Sequence, residues 1–256
     1  MMKKIVDKPD LYDLLYSDVT EDIKMYIKLL QGRQRILEFG AGTGRVTIPL
    51  AKQEHLIDAV DLSKDMLEKL KAKVENDKYL KKHINPILGN MCRYISDKEY
   101  DAILIPLTSF NYLLTENEQE QCLVSVREHL SKDGFAIIEL LSENTFLDTN
   151  QSDDFVFIKR ISINDTSYYD YYRCTKLDIE ERKIYQRRLF KYYINNQYVS
   201  EEELEWKNRF VTINDFKKIT EKVGLQIEKI YGNCQLDSYN KDSEDVFIIL
   251  RKNNKV

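Results

Sequence analysis

Glu38, Gly40, Gly42, Gly44 and Asp61 are the residues whose types and spacing could do chemistry in this sequence. Glycines at alternate positions let the main chain take positive φ and let a ligand lie directly against it. A helix starting behind them, at Val46, Ile48 and Leu50, would aim its free N–H groups at the same point. Asp61 closes an apolar run over 55–61, where a carboxylate can accept both hydroxyls of a ribose. That logic serves NAD enzymes equally, so Asp61 alone does not choose a cofactor. A dinucleotide fingerprint, G-x-G-x-x-G, needs its third glycine at position 45, and Arg45 stands there.

The elements that must hold these residues can be read around them. Ile36, Leu37 and Phe39 mark a buried strand ahead of the glycines. Ser63 is an N-cap for a helix over 64–77, with Met66, Leu67, Leu70 and Val74 on its buried face. A short third strand over 84–88 ends in Gly89-Asn90-Met91, and 100–106 is the most strand-like run. Thr115-x-x-Glu118 is a capping box for a helix reaching Leu130. Lys132-Asp133-Gly134 is the turn after it, and 135–141 is a fifth strand with Glu139 near its end. Upstream, 10–32 reads as one or two helices, with Thr20 as N-cap of the second and Gly32 as its stop. A helix over 214–223 and two strands, 225–231 and 245–251, complete the pattern.

Residues 152–207 break this rhythm. Four extended segments alternate with turn-like 164–165, 180–183 and 195–197, which predicts an inserted antiparallel meander. Eight of the 17 tyrosines fall between Tyr168 and Tyr198. Period-two alternation puts Tyr169, Tyr171 and Arg173 on one face and Tyr168, Asp170 and Tyr172 on the other. Such a surface suits a ring-bearing or amine acceptor through stacking and cation–π attraction, and equally a dimer contact.

Glu38-Phe-Gly40-Ala-Gly42-Thr-Gly44, continued by Asp61-Leu62-Ser63-x-x-Met66-Leu67, resembles the class I S-adenosylmethionine (SAM) methyltransferases of the small-molecule N- or O-methylating type. The cofactor agrees with the missing third glycine, because SAM carries no phosphate and its cationic groups favour a nearby carboxylate. The resemblance implies an α/β, Rossmann-like, seven-stranded, mostly parallel sheet in the order 3-2-1-4-5-7-6. It implies a SAM-binding core over 1–150 and 208–256 with an N-terminal helical lid. The insert, 151–207, would be a substrate or dimer subdomain. Glu38, Gly40, Ala41, Gly42, Asp61, Leu62, Met66, Asn90, Met91 and Leu107 would contact SAM, and Tyr16 would reach its methionine end from the lid. Relatives commonly carry an acid where this chain has Asn90. Phe110, Tyr112, Tyr169, Tyr171 and Arg173 are candidate acceptor contacts, and no catalytic residue or metal site is assigned.

Composition bounds the rest. At 256 residues, 43% hydrophobic and 32% charged, the chain can bury one large α/β domain with an insert. A net charge of −4 argues against a general affinity for nucleic-acid backbone. Cys92, Cys122, Cys174 and Cys234 form no C-x-x-C pair, which argues against a zinc or disulfide framework. No run of about 18 apolar residues predicts a membrane span, so a cytoplasmic address is expected. Leu107-Thr108-Ser109-Phe110-Asn111 brings no clustered acids and no Pro-Cys nucleophile, which points to metal-free SN2 transfer to nitrogen or oxygen. His55, His83 and His129 fall away from the expected cleft, tilting the choice towards nitrogen. The alternatives are a tRNA or peptide methyltransferase, or a SAM-binding regulatory protein without turnover.

Overall fold

The computed structural model describes residues 3–147 and 151–253. A two-residue strand, β1 (Lys3–Lys4), precedes helices α1 (Pro9–Leu15) and α2 (Glu21–Leu29). There follow β2 (Arg35–Phe39), α3 (Thr47–Ala51), β3 (Leu56–Asp61), α4 (Lys64–Val74), α5 (Lys78–His83) and β4 (Ile84–Leu88). Next come β5 (Tyr100–Ile105), α6 (Glu116–His129), β6 (Leu130–Leu141) and α7 (Glu143–Leu147). Four long strands succeed them: β7 (Ser152–Ser162), β8 (Ser167–Asp178), β9 (Lys183–Ile194) and β10 (Gln197–Arg209). The last elements are α8 (Ile213–Lys222), β11 (Leu225–Tyr231) and β12 (Asp245–Lys252).

Seven strands form one sheet in the order β11-β12-β6-β5-β2-β3-β4. Counted along the core this is 3-2-1-4-5-7-6, as expected, with β12 antiparallel to both neighbours. Alternate residues bury both faces, so the strands are nearly continuous apolar runs. Ile36, Ile57, Ala102, Leu104 and Ile137 meet α2, α3 and α4 on one side. Leu37, Val60, Ile103, Ile105 and Ile138 meet α6 and α8 on the other.

The second sheet runs β1-β10-β9-β8-β7, antiparallel except for β1, whose parallel pairing with β10 has no signal in the sequence. Tyr171, Phe190, Leu204 and Trp206 on its inner face enclose Ile5, Leu11 and Leu15. The Ile5–Asp7 turn and α1 are therefore packed between the antiparallel sheet and α4.

Local signals fare unevenly. The Thr115–Glu118 capping box forms as read, and Ser63 caps α4 through the Met66 N–H at 3.3 Å. That helix ends at Val74 rather than 77, because Asp77 accepts from the N–H groups of Tyr79 and Leu80 and starts α5. Residues 132–134 belong to β6 instead of forming a separate turn; the register slips between Tyr100↔Leu130 and Ala102↔Phe135 to absorb them. Thr20 stands at the N-cap of α2 without a side-chain cap bond. No helix among the described residues is long and apolar enough to cross a membrane.

Candidate functional site

The parallel strands end at one edge of the large sheet, and the strand order reverses between β2 and β5, opening a crevice there. The chain leaves β2 through Gly40 (φ +73°) and Gly42 (φ +57°). A Cβ on Gly40 would lie 2.7 Å from Ser109 Oγ, so only glycine lets the loop after β5 come this close. Gly40 and Ala41 donate to the Val60 carbonyl at 2.9 and 3.1 Å. Gly42 donates to Asp61 Oδ2 at 2.8 Å, and the Ser63 N–H donates to Asp61 Oδ1 at 2.7 Å. Each oxygen keeps a lone pair for a ligand. Burial raises the Asp61 pKa while these N–H groups oppose the rise.

Glu38 is 1% exposed and accepts from Thr47 Oγ1 at 2.7 Å. Burial pushes its carboxyl up to about 8, with Asp61 and Asp22 adding to the shift and Thr47 and Arg45 opposing it. A cation delivered to this pocket would restore the carboxylate.

Beyond Asp61 the edge turns apolar. Leu62 is 72% exposed and Leu88, at the end of β4, is 62% exposed, while Met66 is buried. Asn90 closes its own turn by accepting the Cys92 N–H at 2.8 Å, and Met91 packs partly into the core. Its amide nitrogen and second lone pair remain for a ligand.

On the far side of the crevice the chain leaves β5 through two non-glycine residues of positive φ, Leu107 (+50°) and Thr108 (+52°). Such strain gathers where the surroundings impose a geometry. The Leu107 N–H donates to Glu139 Oε2 at 2.7 Å, and the Tyr26 hydroxyl reaches the same oxygen at 3.2 Å. Glu139 opens onto a cavity of about 200 Å³ lined by Asp18, Val19, Thr20, Asp22 and Leu107. Burial pushes its pKa up to about 7, with Asp22 adding to the rise.

Helices α1 and α2 and the turn between them are bolted down by charge. Asp13 of α1 takes the Thr43 hydroxyl and Lys73, and Asp10 takes Lys69. Arg45 donates to the Val19 carbonyl and forks onto Asp22. Tyr12 lies across the glycine loop, since a Cβ on Gly42 would touch its ring at 3.9 Å. Tyr16 stands 4.8 Å from Tyr12 and 6.5 Å from Trp206, and Tyr112 stands 5.4 Å from Trp206, between ring centroids.

The structure thus gathers Glu38, Gly40, Ala41, Gly42, Asp61, Leu62, Asn90 and Leu107 along one edge, with Tyr16 and Tyr112 facing them. Phe110 is instead fully buried against Phe216, a scaffold position. Tyr169 packs on Tyr192, and Tyr171 stacks on Phe190 at 4.8 Å, so both serve the packing around α1. Arg173 keeps its place beside Tyr171. Tyr12, Trp206 and Arg188 were not among the sequence candidates. Tyr12 is legible as the i, i+4 partner of Tyr16, and Trp206 as the single tryptophan; Arg188 has no local signal.

Residues 36–134 match the family described as methyltransferase domain. Over these residues the chain is similar to methyltransferase domains. Over 241 residues it is 27% identical to a protein of Geobacillus sp. (strain WCH70) provisionally named a methyltransferase, covering 94% of this chain and 93% of that one. The fold matches a SAM-dependent methyltransferase from Clostridium acetobutylicum with a TM-score of 0.80 at 18% identity, over 94% and 96% of the two chains. It also matches the sugar N-methyltransferase KedS8 from Streptoalloteichus, with a TM-score of 0.72 at 15% identity over 94% and 92%.

The residues of the crevice fit S-adenosylmethionine, the donor that the sequence resemblance implies. Asp61 offers lone pairs to a ribose, and exposed Leu62 and Leu88 offer apolar area that a purine would cover. Buried Glu38 lacks a cationic partner of its own at hydrogen-bond distance, which suits the cationic amino group of the donor's methionine end.

Proposed function

We propose that this chain is a methyltransferase that transfers the methyl group of S-adenosylmethionine to a nitrogen of a small acceptor seated between the two sheets, without a metal. One observation carries the reading: Tyr16 of the N-terminal segment, Tyr112 of the loop after β5 and Trp206 of the antiparallel sheet form one aromatic wall, and Tyr112 lies within electrostatic reach of Asp61. Aromatic faces at this spacing suit a compact amine or ring-bearing acceptor. Bound SAM supplies an electrophilic methyl carbon on a sulfonium leaving group. The protein orients the acceptor lone pair and excludes water, which contributes up to about 7–11 kcal/mol.

The histidines support nitrogen. His55 engages the Arg33 carbonyl, His83 the Tyr79 carbonyl and His129 the Ser125 carbonyl, and each lies just before a strand, opposite the crevice. Glu139, pushed up to about 7, is the carboxylate placed to take the proton an ammonium sheds after transfer. A sugar N-methyltransferase among the structural neighbours is consistent with an amine acceptor.

The experiment is turnover on paired amines and alcohols, followed as S-adenosylhomocysteine release, in wild type and Trp206→Ala. Amine turnover, with acceptor KM raised at least tenfold in the variant and SAM affinity unchanged, is expected. Product formed on tRNA or polypeptide but on no small molecule overturns the proposal. We further infer a dimer through the antiparallel sheet, whose last strand exposes Val156, Phe157 and Ile158. Sedimentation as a monomer at micromolar concentration would remove that inference.

A further inference from the structure

Two arginines stand directly opposite each other on the inner face of the antiparallel sheet. Arg173 of β8 and Arg188 of β9 are register partners. Like charges set opposite across a ladder repel. The other arginines of this sheet have carboxylates: Arg160 pairs with Asp170, Arg182 with Asp215, Arg187 with Glu203 and Arg209 with Glu116. Among the described residues, neither Arg173 nor Arg188 forms such a pair. Glu202, on the inner face of β10, is held by Lys8 at 2.7 Å.

Arg188 is only 9% exposed and lies over the Trp206 ring, 3.3 Å from its centroid. Nε and Nη2 both donate to Gln186 Oε1, at 3.1 and 2.7 Å. Nη1 reaches only the Tyr16 hydroxyl, at 3.5 Å, which is too long to count as a strong bond. Gln186 thus pins one edge of the guanidinium and leaves the end-on edge open. The charge acts on Tyr112 and Tyr171, and Tyr112 also feels Asp61 across the crevice. A desolvated cation ordinarily brings a counter-charge with it. Here the neighbours supply neutral oxygens and rings.

We propose that the acceptor carries an anionic group, a carboxylate or a phosphate, which Arg188 and Arg173 bind while Tyr16, Tyr112 and Trp206 hold its remainder. This names the substrate class of the site and rests on the methyl-transfer reading above. A guanidinium fork matches the geometry of both groups. Gln186 is a positioning residue, because it fixes the plane of that fork.

The test is calorimetric titration of acetate, inorganic phosphate and neutral acetamide into the SAM-loaded protein. Saturable millimolar or tighter binding of at least one anion is expected, with none for acetamide. Arg188→Gln and Arg173→Gln should each weaken the anion at least tenfold and leave SAM affinity within twofold. If Arg188→Gln does not fold, Arg173→Gln and the acetate–acetamide difference decide the matter. Turnover of glycine against glycinamide, and of phosphoethanolamine against ethanolamine, then separates carboxylate from phosphate. Failure of both anions to bind, or binding that survives the substitutions, overturns the proposal. Failure of SAM itself to bind the wild type would sink the methyl-transfer reading instead, and the anion titration would still report on the arginines.

Discussion

Arg45 forks both terminal nitrogens onto the carboxylate of Asp22, at 2.9 and 2.6 Å, and so ties the glycine loop to α2. Both side chains are nearly buried. The residue that disqualifies a dinucleotide fingerprint is therefore the residue that anchors α2. Removing one partner leaves the other as an uncompensated buried charge. Asp22→Ala is expected to cost about 3–5 kcal/mol, read as a lower midpoint in urea unfolding. A midpoint within error of wild type would show that the pair is not a structural clamp.

Glu38 and Glu139 make stability depend on pH. Their folded pKa values, about 8 and about 7, lie above the ordinary 4.5, so the folded state binds more protons than the unfolded chain between those limits. Their contribution to stability without ligand is fully present below about pH 4.5 and is lost as pH rises through 7 to 8. Glu38→Gln should flatten the upper part of that decline in melts from pH 5 to 9. An unchanged slope in the variant would contradict the assignment.

SAM binding should release a proton when measured below pH 8. The donor carries a cationic amino group and a sulfonium, and a cation near Glu38 returns its carboxyl to the charged form. Calorimetric enthalpies at pH 7 are then expected to vary with the ionisation heat of the buffer, and to stop varying in Glu38→Gln.

Asp61→Ala removes the acceptor for the Gly42 and Ser63 N–H groups together with the proposed ribose contact. Hydrogen bonds to a charged group contribute about 1.5–3 kcal/mol each, so SAM affinity should fall at least tenfold. Asp61→Asn should lose less, because the amide oxygen still accepts. Equal affinity in all three proteins would separate Asp61 from the cofactor.

Gly40→Ala tests the crevice itself. The new Cβ meets Ser109 Oγ at 2.7 Å, and a positive φ costs a non-glycine residue about 1–2 kcal/mol. Displacing the Ser109 loop also moves Leu107, so both Tm and SAM affinity are expected to drop. A variant that binds SAM with wild-type affinity would show that the loop has room to give.

What the sequence determined by itself was local. The apolar run before Gly40, the Thr115–Glu118 box, the tyrosine alternation in β8 and the acid ending β3 each declare themselves within a few residues, because period and capping act over one or two turns. From those pieces the antiparallel insert followed directly and the strand order by resemblance, and the sheets bear both out. The helix at Lys78–His83 escaped notice because its cap, Asp77, lies inside the preceding apolar period. Tertiary structure alone decided which side chains share a space. It sent Phe110 into the core and brought Tyr12, Tyr16, Tyr112, Arg188 and Trp206 to one wall. Those residues come from the N-terminal segment, the loop after β5 and two strands of the second sheet. Their meeting depends on how the antiparallel sheet and α4 close around α1, and no spacing along a chain records a contact made by packing across that distance.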